Sequence, residues 1–236
     1  MSFEVEPSEF WYKFNKGTWE PEAFDFYKKY VSPVKDVIDM GGWIGPTMLF
    51  AYAFNARRIS VIEADPANFQ VLKNNVRKNF LEDRVLLYNL CLSERSGDIV
   101  SFGAASKKKG SSTKHIGGGQ TKVRTTSMME FIRSQDLNEV SIIKIDIEGA
   151  EQDVVDSLDF IAGFKDIAVL FSIHVPLWRD AKKTTMAILE SLQKFDVCTD
   201  SDQPMSREDT RKRLEKGGYF CLILKTKVTE SNALPV

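Results

Sequence analysis

The sequence predicts a doubly wound α/β domain built on a mostly parallel sheet. Three observations carry this expectation. Short apolar, β-branched runs alternate with stretches of helical spacing. The first run breaks into a glycine turn before a helix, and the second ends on an acid. The strands do not group together, as they would in a two-layer α+β fold.

The elements follow in order. Pro21–Val31 is expected as a helix, part of an N-terminal cap over residues 1–33; residues 34–236 form the main domain. Val34–Met40 reads as the first strand, and Thr47–Phe54 as the helix after the glycines. Arg58–Ile62 is the second strand. Pro66 opens a helix on which Phe69, Leu72, Val76 and Phe80 recur at three- and four-residue spacing. Arg84–Leu92 is the third strand, and Asp98–Phe102 a short extra one. Gly103–Gln120 lacks periodicity and is rich in Gly, Ser and Lys, which predicts a long loop. Thr125–Arg133 reads as a strand end and a helix, Val140–Ile147 as the fourth core strand, and Glu151–Phe160 as a helix. Ile167–Val175 is the fifth strand. Helices over Ala181–Phe195 and Arg207–Lys216 precede a last strand at Tyr219–Lys225.

Composition sets the class. With 236 residues, 43% hydrophobic and 28% charged, the chain is an ordinary globular one, long enough to bury a core without staples. Its net charge of -1 gives no basic surplus for a nucleic-acid partner. Cys91, Cys198 and Cys221 form neither a zinc spacing nor a disulfide framework, which suggests a reducing compartment. No signal peptide or membrane span is read, so a soluble, cytoplasmic protein is expected.

Asp39-Met40-Gly41-Gly42-Trp43-Ile44-Gly45 ends the first strand. Ligands of such sheets bind beyond the strands' carboxyl ends. Gly41 would let backbone approach a ligand, and Gly45 would let the helix pack on the sheet. Glu63 ends the second strand, where an acid can accept both hydroxyls of a ribose. The turn has bulky Trp43 in place of a second spaced glycine, unlike a dinucleotide site, and it begins with an acid. Asp39 would suit an ammonium better than a pyrophosphate. S-adenosylmethionine offers an ammonium, a ribose diol and no phosphate. The bland alternative is a tight strand–helix turn and nothing more.

On the fourth strand, alternation sets Lys144, Asp146 and Glu148 against Ile143, Ile145 and Ile147. Charges in a central strand are costly unless paired or at its open end, so Asp146 and Glu148 are expected in the crevice. His174 ends the fifth strand and could act as the base for an acceptor hydroxyl, or sit hydrogen-bonded in the core. Asp146 could hold the methionine end of the cofactor, orient His174, or help bind an ion. Asp146, Glu148 and His174 offer donors for magnesium or manganese, although nothing in their spacing proves a metal. Glu151 reads as complementing a helix N-terminus.

Lys144–Glu151 (KIDIEGAE) resembles the hallmark of the FkbM family of S-adenosylmethionine-dependent methyltransferases. Asp39–Gly45, Glu63-Ala64-Asp65-Pro66 with Asn68 and Phe69, Leu72 with Asn75-Val76, Asn89–Ser93, and the Thr18-Trp19-Glu20-Pro21 lead-in match as well. The likeness covers most of Trp19–Val175. It implies a class I methyltransferase fold, Rossmann-like, whose seven-stranded sheet has an antiparallel last strand, and O-methylation of a sugar or natural-product hydroxyl. It also fills out the expected cofactor contacts: Glu20, Asp39, Gly41, Gly42, Trp43, Gly45, Glu63, Ala64, Asn68, Asn89, Cys91 and Asp146. His174 and Asp146 are the expected catalytic pair. Glu148 and the loop lysines Lys107, Lys108 and Lys109 are expected to face the acceptor, which the lysines would make anionic. Two departures stand out. The family often has Ala-Asn where this chain has Gly42-Trp43, and Glu-x-His where this chain has Ser172-Ile173-His174. RNA ribose methylation and a catalytically silent cofactor-binding module are the other readings; the first would want a basic surface.

Overall fold

The computed structural model describes residues 2–103, 115–116, 119, 121–136 and 140–227. Its centre is a seven-stranded sheet formed by β1 (Asp36–Met40), β2 (Ile59–Ile62), β3 (Val85–Tyr88), β8 (Val140–Ile145), β9 (Ala168–His174), β10 (Phe195–Thr199) and β11 (Tyr219–Thr226). The spatial order is β10-β11-β9-β8-β1-β2-β3, and β11 alone runs antiparallel to its neighbours. The order reverses beside β1, so β1 and β8 diverge above a crevice at their carboxyl ends.

Helices cover both faces, and strand alternation divides the core between them. Val37, Ile142 and Leu170 pack with α1 (Phe10–Asn15), α2 (Pro21–Tyr30), α3 (Pro46–Ala53) and α4 (Pro66–Lys78). Ile38, Ile143, Ile145 and Phe171 pack with α5 (Met128–Arg133), α6 (Asp156–Ile161), α7 (Ala181–Ser191) and α8 (Arg207–Lys216). Trp11 of α1 and Phe26 and Tyr27 of α2 share the core of α3 and α4. Asp65, Ser127, Asp180 and Ser206 cap α4, α5, α7 and α8 by accepting backbone N–H groups, an effect of about 1 kcal/mol each.

A second sheet of four strands lies beside the crevice, ordered β4-β7-β5-β6. It comprises β4 (Cys91–Leu92), β5 (Ile99–Gly103), β6 (His115–Ile116) and β7 (Thr121–Thr126). The expected third strand is therefore two: β3 belongs to the large sheet and β4 to the small one, with Asn89 at the break. The expected loop over 103–120 contains β6, and the strand before α5 begins at Thr121, earlier than expected. Lys107, Lys108 and Lys109 lie outside the described residues. The helix expected over Ala181–Phe195 ends sooner, in a 3-10 turn at Leu192–Lys194, and Phe195 opens β10. The helix expected from Glu151 is a 3-10 turn at Ala150–Asp153 followed by α6. Among the described residues, no helix is long and apolar enough to cross a membrane.

Candidate active site

The strands that end at the crevice carry polar residues near their carboxyl ends. By alternation, Asp39, Lys144, Ser172 and His174 share the sheet face that carries α1–α4, and the turns after β1 and β8 complete the floor. Those turns touch. Asp146 N–H donates to Met40 O at 2.9 Å, and a Cβ on Gly41 would lie 1.8 Å from Asp146 O. Gly41 (φ +88°) thus answers the crossing of two chain segments before any ligand, while Gly45 (φ +104°) abuts Leu72 of α4 and Met48 of α3.

The result is a cavity of about 320 Å³, within the usual size range of ligand sites. It brings together Trp19, Glu20, Gly41, Gly42, Trp43, Glu63, Ala64, Asn68, Cys91, Asp146 and Glu148. Among the described residues, its ionisable lining is five acids (Glu20, Glu63, Asp65, Asp146 and Glu148) and one lysine, Lys144. Phe102 of β5 and Ile116 of β6 close one wall. Sequence reasoning missed both, because they reach the site through the pairing of Phe102 with Ile116, across residues without periodicity.

Glu63 sits at one end. Its carboxylate accepts Trp43 N–H at 2.8 Å and Asp65 N–H at 2.7 Å, and Trp43 takes φ +49° where the turn wraps it. Burial raises its pKa from 4.5 to about 7, against those two N–H groups, which lower it. At the other end Glu20 caps α2 in a left-handed conformation (φ 40°). Burial first, then the charge of Asp146, lifts Glu20 to about 7.

Lys144 ties this end together. Its Nζ donates to Gly41 O at 3.1 Å and lies 3.4 Å from both Asp39 Oδ1 and Asp146 Oδ2. Burial works against the ammonium, but Asp146, Asp39 and Glu20 outweigh it, and the pKa is raised. Asp39 does not line the cavity. Fully buried below it, Asp39 accepts Thr47 Oγ1–H at 2.6 Å and pairs with Lys144, so it braces the floor from beneath. Asn89 stays out too: its amide donates to Glu63 O and Ala64 O at 2.8 and 3.1 Å, holding the turn that carries Glu63. Gly45 lies beneath the lining, against α4.

His174 is 9% exposed and stands behind Asp146, with Nε2 at 3.5 Å from Asp146 Oδ1. Its Nδ1 faces Glu151 Oε1 at 2.8 Å. Burial disfavours the imidazolium, yet Glu151, Asp146 and Glu148 together raise its pKa above 6.5. One ligand atom from each of Asp146, Glu148 and His174 lies within 4.8 Å of the others. Two carboxylate oxygens and an imidazole nitrogen are donors of the kind that hold a hard divalent cation. Ser172, where the family often has glutamate, only meets Cys221 Sγ at 3.4 Å.

A sheet of this order with a cavity above the β1–β8 divide is the class I methyltransferase fold. The chain belongs to the FkbM family: the family model described as the methyltransferase FkbM domain matches residues 39–198. No curated protein matches it at a significant level. Among solved structures, a candidate rRNA methylase from Clostridium thermocellum is similar in fold, with TM-score 0.54 and 12% identity over 88% of this chain and 95% of that one. An O-methyltransferase from Bacillus cereus bound to SAH aligns with TM-score 0.49 and 10% identity, covering 95% and 84%.

Proposed function

We propose that the protein is an S-adenosylmethionine-dependent O-methyltransferase that acts on a hydroxyl of a sugar, glycan or sugar-containing natural product. The observation that carries this reading is the cavity's lining among the described residues: five acids and one lysine already tied to two acids, with Glu63 held by Trp43 and Asp65 and Glu20 near Asp146. That lining suits a ligand with a diol, a positive charge and no phosphate, and it disfavours a nicotinamide dinucleotide. Glu63 would accept the ribose hydroxyls, beside Ala64 and Asn68. Cys91, Phe102 and Ile116 would flank the base. Glu20 and Asp146 would face the ammonium, a role that falls to them because Asp39 is turned to Thr47 and Lys144. When bound, the cofactor supplies an electrophilic methyl carbon on a sulfonium that departs as a neutral thioether. The chain's part is then mainly positioning.

His174 Nε2 would take the proton of the acceptor hydroxyl and so make its oxygen nucleophilic. Asp146 steadies the resulting imidazolium from 3.5 Å. The acceptor class comes from the family kinship. An acidic mouth favours a neutral hydroxyl at the reacting end, so any anionic group, the proposed partner of Lys107, Lys108 and Lys109, belongs farther along the acceptor. A cytoplasmic protein with no nucleic-acid partner completes the proposal.

The test is label transfer from S-adenosylmethionine carrying a radioactive methyl group to a panel of sugars, glycans and RNA. The expected product is a base-stable methyl ether on a carbohydrate. His174→Ala should lower turnover about 100-fold with cofactor affinity near wild type. Label on RNA, or on no acceptor, overturns the reading. The spacing of Asp146, Glu148 and His174 favours one variation. Activity abolished by a chelator and restored by magnesium or manganese would transfer activation of the hydroxyl from free imidazole to a cation held there.

A further inference from the structure

Glu151 is fully buried, and neither cofactor nor acceptor can reach it. Two N–H donors and one imidazole nitrogen converge on its carboxylate. Gly149 N donates to Oε1 at 3.0 Å, Trp178 Nε1 donates to Oε2 at 2.8 Å, and His174 Nδ1 faces Oε1 at 2.8 Å. The backbone amide and the indole can only donate, so both carboxylate oxygens are fixed as acceptors. With each oxygen already accepting from a group that can only donate, the third contact is a hydrogen bond to the carboxylate when Nδ1 carries the ring proton. From the Glu151 carboxylate we infer that Glu151 is the positioning residue of the site: it locks neutral His174 in the Nδ1–H tautomer, leaving the Nε2 lone pair to face Asp146 and the cavity.

The surrounding chain is built around this contact. Gly149 packs so closely on Leu177 that a Cβ there would lie 2.7 Å from Leu177 Cβ, which clamps the turn after β8 to the turn after β9. Gln152 reinforces the clamp by accepting Arg179 N–H and donating to Gly149 O, and Arg179 pairs with Asp153. Trp178, 7% exposed, brings its indole N–H to the carboxylate from that second turn. Glu151 therefore acts through His174, by fixing which nitrogen is free and where it points. The inference rests on the proposed role of His174, but its first test needs no acceptor.

The chain has two histidines, His115 and His174, so ring-nitrogen spectra of 15N-histidine-labelled protein contain two imidazoles, and His115→Gln identifies which is which. At a pH where the ring is neutral, His174 should show a protonated Nδ1 and an unprotonated Nε2. In Glu151→Gln that pattern should invert or become mixed. Cofactor affinity by calorimetry should stay within about twofold, and turnover of the acceptor should fall at least 10-fold at nearly constant KM. Trp178→Phe, which removes one donor and keeps an aromatic ring, should show a smaller shift in the same direction and serves if Glu151→Gln does not fold. An Nε2–H tautomer in wild type overturns the assignment. So does an unchanged tautomer in both variants, or loss of cofactor binding in step with turnover. A confirmed tautomer with no methyl transfer to any acceptor would keep this inference and sink the proposed function.

Discussion

Replacing Glu63 with glutamine tests the cofactor assignment at its most exposed point. In the native site each carboxylate oxygen accepts one backbone N–H, from Trp43 and from Asp65, Asn68 lies beside them, and Glu63 lines the cavity. Glutamine removes the charge and turns one oxygen into an NH2 group facing a backbone donor. The ribose then loses at least one hydrogen bond to a charged acceptor, worth about 1.5–3 kcal/mol, or roughly 10- to 150-fold in affinity. The pH dependence provides a second handle. Glu63 ionises near 7, and two ribose hydroxyls need the ionised form. Cofactor affinity should therefore rise with pH through 6–8, by at most about tenfold per unit for one group, with a proton released on binding below 7. The free protein shows the opposite trend. Because the folded pKa lies above the unfolded value of 4.5, the native state holds more protons between those values. Its stability should fall as pH rises through that window, by up to about 3 kcal/mol from this group. Calorimetry at pH 6, 7 and 8, in two buffers of different ionisation enthalpy, reads affinity and proton release together. Glu63→Gln should bind weakly and release fewer protons, the remainder coming from Glu20. Equal affinity within twofold, or an unaltered proton count, would refute the ribose assignment.

Two stability predictions probe the floor of the cavity. Lys144→Met leaves Asp39 buried with Thr47 but without its cation, and should cost about 3–5 kcal/mol in chemical denaturation; adding Asp39→Asn should restore much of it. Gly41→Ala and Gly97→Ala both place alanine at φ +88°, but only Gly41 is crowded, whereas nothing lies within 4 Å of a Cβ on Gly97. Gly97→Ala should cost about 1 kcal/mol of backbone strain and Gly41→Ala several times that; equal midpoint shifts would deny the clash with Asp146.

Most of the central sheet was legible because its strands are apolar on both faces and end at glycines or acids. β10 was not. Phe195–Thr199 follows α7 through a 3-10 turn with neither glycine nor proline, and Asp196 looks like the polar face of the same helix. The strand exists because it pairs with β11, a contact no local pattern announces. The split between β3 and β4, and the polar start of β7, escaped for the same reason. In the site, Glu63 and Asp146 were readable from their places at strand ends. Asp39 looked equally suited to a ligand, but the register that sets it opposite Lys144 turns its carboxylate inward. Asn89 looked like a cofactor contact, and its partners are carbonyls more than 20 residues away in sequence. Glu151 resembled a helix-end acid; its partners His174 and Trp178 lie 23 and 27 residues downstream.

The place of β11 has a consequence for how the protein is made. It is the last strand of the sheet in sequence, yet it lies between β9 and β10, with Tyr219 opposite His174. On a nascent chain emerging from its amino end, β9 therefore waits with an open hydrogen-bonding edge, and β10 has no neighbour, until residues beyond 218 leave the ribosome. Unpaired strand edges of this kind are where growing chains adhere to one another. Final closure of the sheet also brings Tyr219 against the imidazole, ring centroids 5.7 Å apart. Surroundings of the His174 ring are thus among the last features that synthesis completes, and a ribosome stalled shortly before Tyr219 would carry paired β1, β2, β3 and β8 beside a β9 still lacking its outer neighbour.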